Sequence, residues 1–181
     1  MARSQPLERA YHDLSILSLQ HECETCRKCE TNVGLVYLLD REPRTVSSSG
    51  VKTVSTSQGI SYIARSVEGW CAAYDSKENK CTIYPNRPLC CRIYPLDLMN
   101  LDDEIWWILH TECPIAQRYE REHKLDILIA LTMLLEERIP EGVFSEWLRE
   151  DRHSQVVEAF LRVEYSITRL RRFRSTRVAS A

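Results

Sequence analysis

Glycine is scarce in this chain of 181 residues, which has only five, beside seven prolines. That is too few for a low-complexity or linker-like protein. No glycine-rich phosphate loop, HExxH pair or nucleophile elbow is present, so the usual signatures of nucleotide binding, zinc proteolysis and ester hydrolysis are missing. Charge of one sign is lacking too. A formal net charge of −2 gives no global attraction to nucleic acid or acidic membranes. The longest apolar run, Ile127 to Leu135, is interrupted by Thr132 and flanked by Asp126 and Glu136. It falls far short of the roughly 20 residues a membrane span needs. The first 20 residues carry Arg3, Glu8, Arg9, His12 and Asp13, which leaves no apolar core for a signal peptide. These absences point to a cytoplasmic protein without a membrane partner.

What remains is ordinary in bulk and unusual in one residue. Hydrophobic residues at 44% and charged residues at 28% fit a globular chain, long enough for one sizeable domain with a helical appendage. Cysteine is the exception, with eight. In a reducing compartment, so many cysteines read as ligands rather than as disulfides. A chain of this length also has enough core to do without covalent staples.

The cysteines are grouped. Cys23, Cys26 and Cys29 form C-x2-C-x2-C in HECETCRKCE, and Cys71, Cys81, Cys90 and Cys91 share a second segment ending at Pro95. Cys113 stands alone downstream. A two-residue gap lets successive thiolates converge from one tight turn, about 2.3 Å from a metal. Three in that rhythm suit three corners of a cubane cluster with a remote fourth ligand. Zinc would need only four donors, two from each segment. Thiols serving merely as core hydrophobes would be scattered. The grouping therefore argues for a metal and leaves open which one. Arg27, Lys28, Arg87 and Arg92 are placed to offset the negative charge of gathered thiolates.

Along the chain, Leu7, Tyr11 and Leu14 predict a helix over 7–20 that leads into Cys23. Val33–Leu39 predicts a buried strand ended by Asp40 and Pro43. The Ser/Thr/Val-rich stretch that follows predicts short strands around Thr45–Val46, Val51–Val54 and Ile60–Ile63, or else a loop. The polar run Tyr74–Lys80 should be a turn with Cys71 and Cys81 at its facing ends. Asn86-Arg87-Pro88 should open a short helical piece through Cys90 and Cys91. Ile105–Leu109 predicts a strand with Trp106 and Trp107 on opposite faces. Pro114 predicts the start of a helix running to Arg138, with a middle apolar enough to be buried all round. Two further helices are expected, over 143–150 and from Ser154 to about Arg172. The arginine-rich end, Arg169 to Arg177, reads as a solvated helix end and a frayed tail, since no companion fold signature supports nucleic-acid binding.

At CTIYPNRPLCCRIYP the chain resembles the YkgJ-type cysteine-cluster family, proposed as zinc- or iron-chelating domains. The family pattern is C-x2-C-x2-C-C, a remote cysteine, then C-x-I-Y-x-x-R-P-x-x-C-R-x-F-P. Cys81, Ile83, Tyr84, Arg87, Pro88, Cys91, Arg92 and Pro95 match it, with Tyr94 in place of phenylalanine. Cys71 resembles the preceding remote cysteine, and Cys113 a further one that members carry downstream. A related cluster occurs in flagellin lysine methylases, so the resemblance admits an enzymatic setting. Two positions depart from the pattern. Glu30 stands where the family doubles its cysteine, and Cys90 is an added thiol, read here as a buried free one. His21 and His110 lie beside Cys23 and Cys113 and read as supporting residues rather than ligands.

The combined expectation is a small α+β protein whose loop-rich, cysteine-ligated core of short strands packs on C-terminal helices. Residues 1–114 would form the cysteine-cluster region with its N-terminal helix, 115–172 a helical region packed on it, and 173–181 a flexible basic tail. The metal ligands expected are Cys23, Cys26, Cys29, Cys71, Cys81, Cys91 and Cys113, with Arg87 and Arg92 contacting the bound centre. An iron–sulfur cluster is favoured slightly over zinc, because these thiols exceed one zinc's needs. Three functions fit: a metal-binding accessory or maturation factor acting with a protein partner, a redox or group-transfer enzyme, or a zinc-ribbon-like adaptor. The enzyme would show an open coordination position or a pocket lined by Arg87, Arg92 and Tyr94.

Overall fold

A computed structural model describes residues 36–55, 59, 61–66, 70–148 and 167–174. The expected helix over 7–20 and the whole C-x2-C-x2-C triplet lie outside the described residues, as does most of the helix expected from Ser154. What is described is a mixed α+β fold with three small antiparallel sheets. Two apolar cores organise them.

The smaller core lies under the first sheet. Strand β1 (Tyr37–Leu38) pairs with β3 (Ser61–Ile63), which also pairs with β2 (Thr53–Ser55). Leu38, Val46, Val51, Ile63, Ala73 and Ile83 fill the space beneath, with Cys71 and Cys81 packed against them. The strand expected at Thr45–Val46 is instead helix α1 (Glu42–Ser48). Pro43, taken as a strand terminator, sits in its first turn, where its missing N–H is harmless. The β-branched pair misleads because Val46 faces the core from a helix, only 1% exposed.

The expected hairpin forms and ends at Cys81, but Tyr74 rather than Cys71 faces it. Strands β4 (Tyr74–Asp75) and β5 (Lys80–Cys81) place Tyr74 opposite Cys81. Asp75 Oδ1 accepts from the N–H groups of Lys77 and Glu78, and Asn79 takes φ 51° to close the turn. A 3-10 turn (Tyr84–Asn86) then leads into α2 (Leu89–Ile93), which carries Cys90 and Cys91.

The larger core lies between the third sheet and the helices that follow. Strand β6 (Leu96–Leu101) pairs with β7 (Glu104–His110) across Asp102-Asp103, both at positive φ (56° and 63°), as a tight two-residue hairpin requires. Trp107 is fully buried in this core, whereas neighbouring Trp106 faces outward between Arg169 and Arg172, as alternation along a strand dictates.

The long helix expected from Pro114 is two. Helix α3 (Pro114–Arg121) stops at Glu122, and α4 (Leu125–Arg138) begins after Lys124. His123 adopts φ 54°, with its N–H bonded to Glu120 O and the Lys124 N–H to Tyr119 O. This is a left-handed helix cap made without glycine. Helix α4 is also not buried all round: Leu128, Thr132 and Leu135 face inward, while Ile127 and Met133 are 49% and 46% exposed. Helix α5 (Glu141–Trp147) follows.

The last described segment corrects the helix expected to reach Arg172. Ile167–Arg172 is strand β8, antiparallel to β7. Arg169 lies opposite Ile108 and Arg171 opposite Trp107, so Leu170 is the extra residue of a bulge. That insertion puts Ile167 and Leu170 three apart, a spacing that reads as helical in sequence. Phe173, expected at the head of a flexible tail, packs edge-on against Trp107 and beside Phe144. Among the described residues no helix is long and apolar enough to cross a membrane.

Candidate metal centre

Cys71 enters the site from a short bridge to Arg65, and its carbonyl accepts the Tyr74 N–H at 2.9 Å to start the hairpin. Cys81 returns on β5. Both side chains are half-buried against the smaller core. After Cys81 the IYPNRP turn places Pro88 ahead of α2, so the two cysteines of the motif come from one hairpin and one helix.

Two arginines hold that turn. Arg87, 8% exposed, donates from Nε to Tyr84 O at 3.2 Å while its guanidinium lies 3.7 Å over the Tyr84 ring. Arg92 donates from Nε to Arg87 O at 2.7 Å and from Nη2 to Pro85 O at 2.6 Å. A planar guanidinium with several donors is suited to bridging two carbonyls. Arg87 and Arg92, expected to contact a bound centre, thus hold the turn between Cys81 and Cys91. The charge of Arg87 also acts on the Cys91 thiol.

Cys90 and Cys91 are adjacent on α2 and differ in role. The Cys90 thiol donates to Tyr37 O at 3.2 Å, which ties α2 to β1. Cys91 shares a hydrogen bond with Cys90, and this, then burial of its sulfur, pushes the thiol well above the ordinary range. Glu42 adds to the rise and Arg87 opposes it. Without a cation, Cys91 is held as the neutral thiol.

Cys113 comes from the larger core. It caps α3 at 5% exposure inside the larger core, its N–H bonded to His110 O at 3.2 Å. His110 is itself buried, with Nε2 3.3 Å from Asp97 Oδ2 and its ring stacked on Tyr94 at 5.5 Å. Among the described residues, no disulfide joins Cys71, Cys81, Cys90, Cys91 and Cys113. Among the described residues no three Cys, His, Asp or Glu side chains gather as metal ligands. Cys23, Cys26, Cys29 and Glu30 lie outside those residues.

Sequence reasoning passed over Glu42. Its carboxylate is 7% exposed and accepts from two separate backbone N–H groups, Leu39 and Leu89. Nothing in its local sequence, REPRT, marks it as more than a helix-start acid.

Comparison with known families now bears on this arrangement. A family model described as "CxxCxxCC: Putative zinc- or iron-chelating domain" matches residues 22–114, just over half the chain. The chain belongs to this family. The match spans both cysteine segments and stops just past Cys113. No curated protein and no solved structure matches. The donor chemistry fits the group the family is named for: soft sulfur suits zinc, iron or an iron–sulfur cluster. Family membership supports a metal-binding role, with zinc or iron as the metal.

Proposed function

We propose that the chain is a metal-binding accessory or maturation factor whose centre joins its two cysteine segments. Cys23, Cys26 and Cys29 supply closely spaced thiolates, and the remaining donors come from Cys71, Cys81, Cys91 and Cys113. An iron–sulfur cluster is the favoured occupant, because three thiolates at two-residue gaps suit three corners of a cubane, with a fourth from the second segment. Bound there, the metal would cross-link segments far apart in sequence. On this reading the protein acts in the cytoplasm with a protein partner.

The observation that carries the proposal is the family match running across both cysteine segments. No three ligands gather among the described residues, so a complete centre would need the triplet. Cys90 is already engaged with Tyr37 O, which favours Cys91 as the ligand of the pair. The enzymatic reading gains no comparable support, because Arg87 and Arg92 brace backbone carbonyls and Tyr94 stacks on His110. The adaptor reading is weakened likewise: Arg169, Arg171 and Arg172 are ion-paired with Asp102, Glu136 and Glu104.

Anaerobic purification followed by iron, zinc and acid-labile sulfide analysis tests the proposal. Brown protein with sulfide selects the cluster. Colourless, zinc-loaded protein keeps the metal-binding role and rejects the cluster. Protein that takes up neither metal rejects the role.

A further inference from the structure

We propose that Glu42 is a positioning residue for the metal centre, a carboxylate that fastens the strand leading away from the cysteine triplet to the helix bearing Cys90 and Cys91. The inference rests on the metal-binding reading above and adds a residue that the cysteine motif does not contain.

Burial of a carboxylate is costly unless its oxygens are satisfied. In Glu42 they are divided between two distant pieces of backbone. Oε2 accepts the Leu39 N–H at 2.7 Å, just after β1. Oε1 accepts the Leu89 N–H at 2.8 Å. Leu89 opens α2 and immediately precedes Cys90, and its N–H has no partner within the helix. The carboxylate thus fixes where α2 starts relative to β1. A second tie joins the same two segments, because the Cys90 thiol donates to Tyr37 O on β1. Leu39 lies downstream of Cys29, so both ties act between the chain leaving the triplet and the chain presenting Cys91.

The charge matters as well as the reach. A fixed anion acting on the Cys91 thiol attracts a divalent cation there more strongly than a neutral group would. Glutamine keeps the length of the side chain, yet its NH2 would face one of the two N–H donors, leaving that donor unsatisfied. Aspartate keeps the charge and loses a methylene of reach. Glutamine thus removes the charge and one acceptor at unchanged reach, and aspartate shortens the reach at unchanged charge. Groups that orient ligands in this way are worth about 10- to 100-fold in metal affinity.

The test uses the full chain as wild type, Glu42→Gln, Glu42→Asp and Glu136→Gln. The last breaks a half-buried ion pair between α4 and β8. Each protein is stripped with a chelator and titrated with zinc against a chromophoric competitor, and the absorption spectrum of its cobalt form is recorded. Glu42→Gln should bind zinc about tenfold or more weakly and show an altered thiolate–cobalt band. Glu42→Asp should fall between it and wild type, and Glu136→Gln should keep the wild-type affinity and spectrum. Glu42→Gln or Glu42→Asp binding zinc as tightly as wild type, with an unchanged cobalt spectrum, overturns the proposal. So does Glu136→Gln weakening zinc to the same degree, since that would be general loosening. Wild type that binds neither zinc nor iron overturns the metal-binding reading itself, a different failure from an unaffected Glu42 variant.

Discussion

Arg92 shows how much of the cysteine motif is scaffold. Its two hydrogen bonds, to Arg87 O and Pro85 O, hold the turn between Cys81 and Cys91 in shape. Hydrogen bonds from a charged donor contribute about 1.5–3 kcal/mol. Arg92→Ala should therefore lower the unfolding free energy by about 2 kcal/mol in denaturant titrations. Arg92→Lys should recover little, because an ammonium lacks the planar fork that meets both carbonyls. Cys91 gives this scale its pH dependence. Its hydrogen bond with Cys90, then burial, raises the thiol above its ordinary value, so the folded chain holds that proton more tightly than the unfolded one. In metal-free protein this contribution is intact below the unfolded thiol value of about 8.5 and is lost as pH rises beyond it. Wild type should lose stability more steeply above that pH than Cys91→Ala. Parallel curves would contradict this cause. At residue scale the motif cysteines and arginines were legible in sequence, since spacing and turn prolines announce them. Glu42 was not, because a carboxylate serving two backbone N–H groups 50 positions apart leaves no local pattern.

Among elements, those with a local signature were found and those defined by a partner were not. The β4–β5 hairpin and α2 follow from turn residues that act within a few positions. Strand β7 shows itself as an apolar run, IWWIL. Strand β8 exists because β7 offers an open edge, and its bulge disguises the alternation that would have revealed it. The break between α3 and α4 was hidden because His123 fills a position where glycine is the usual marker. His123→Gly should relieve the left-handed strain and raise stability by about 1 kcal/mol. A thermal melt shifted upward would agree, and an unchanged or lower one would not. Helix α4 is fastened to β8 by a polar knot. Glu136 Oε1 accepts from Trp107 Nε1 at 2.7 Å and lies 2.6 Å from Arg171 Nη2, while Arg171 Nε donates to Thr132 Oγ1. Removing one partner of such a pair strands the other, at a cost of about 3 kcal/mol. Glu136→Ala should show that loss in chemical denaturation without changing metal content per folded chain. A loss below about 1 kcal/mol would place the pair among the weak surface contacts.

For the molecule as a whole, the two cores divide the labour. The larger one, centred on Trp107, is built from contacts among β6, β7, β8 and the helices, and contains Cys113. The smaller one has Cys71, at an isolated bridge, and Cys81, on β5, packed against it. Between them run the Glu42 carboxylate and the Cys90 thiol, which join β1 to α2. A sheet of two- and three-residue strands buries little surface. This half of the protein is the part that a bound metal would stabilise most. The α+β class was legible from alternating run lengths, whereas the division into two cores depends on long-range pairing that no single window of sequence contains. The account stands on both cysteine segments serving one centre. Metal content per chain, measured on wild type, on the Cys23→Ser/Cys26→Ser/Cys29→Ser variant and on Cys81→Ser/Cys91→Ser, tests it most directly. Loss of the metal from both variants is the predicted result, and full wild-type metal in either one would contradict it.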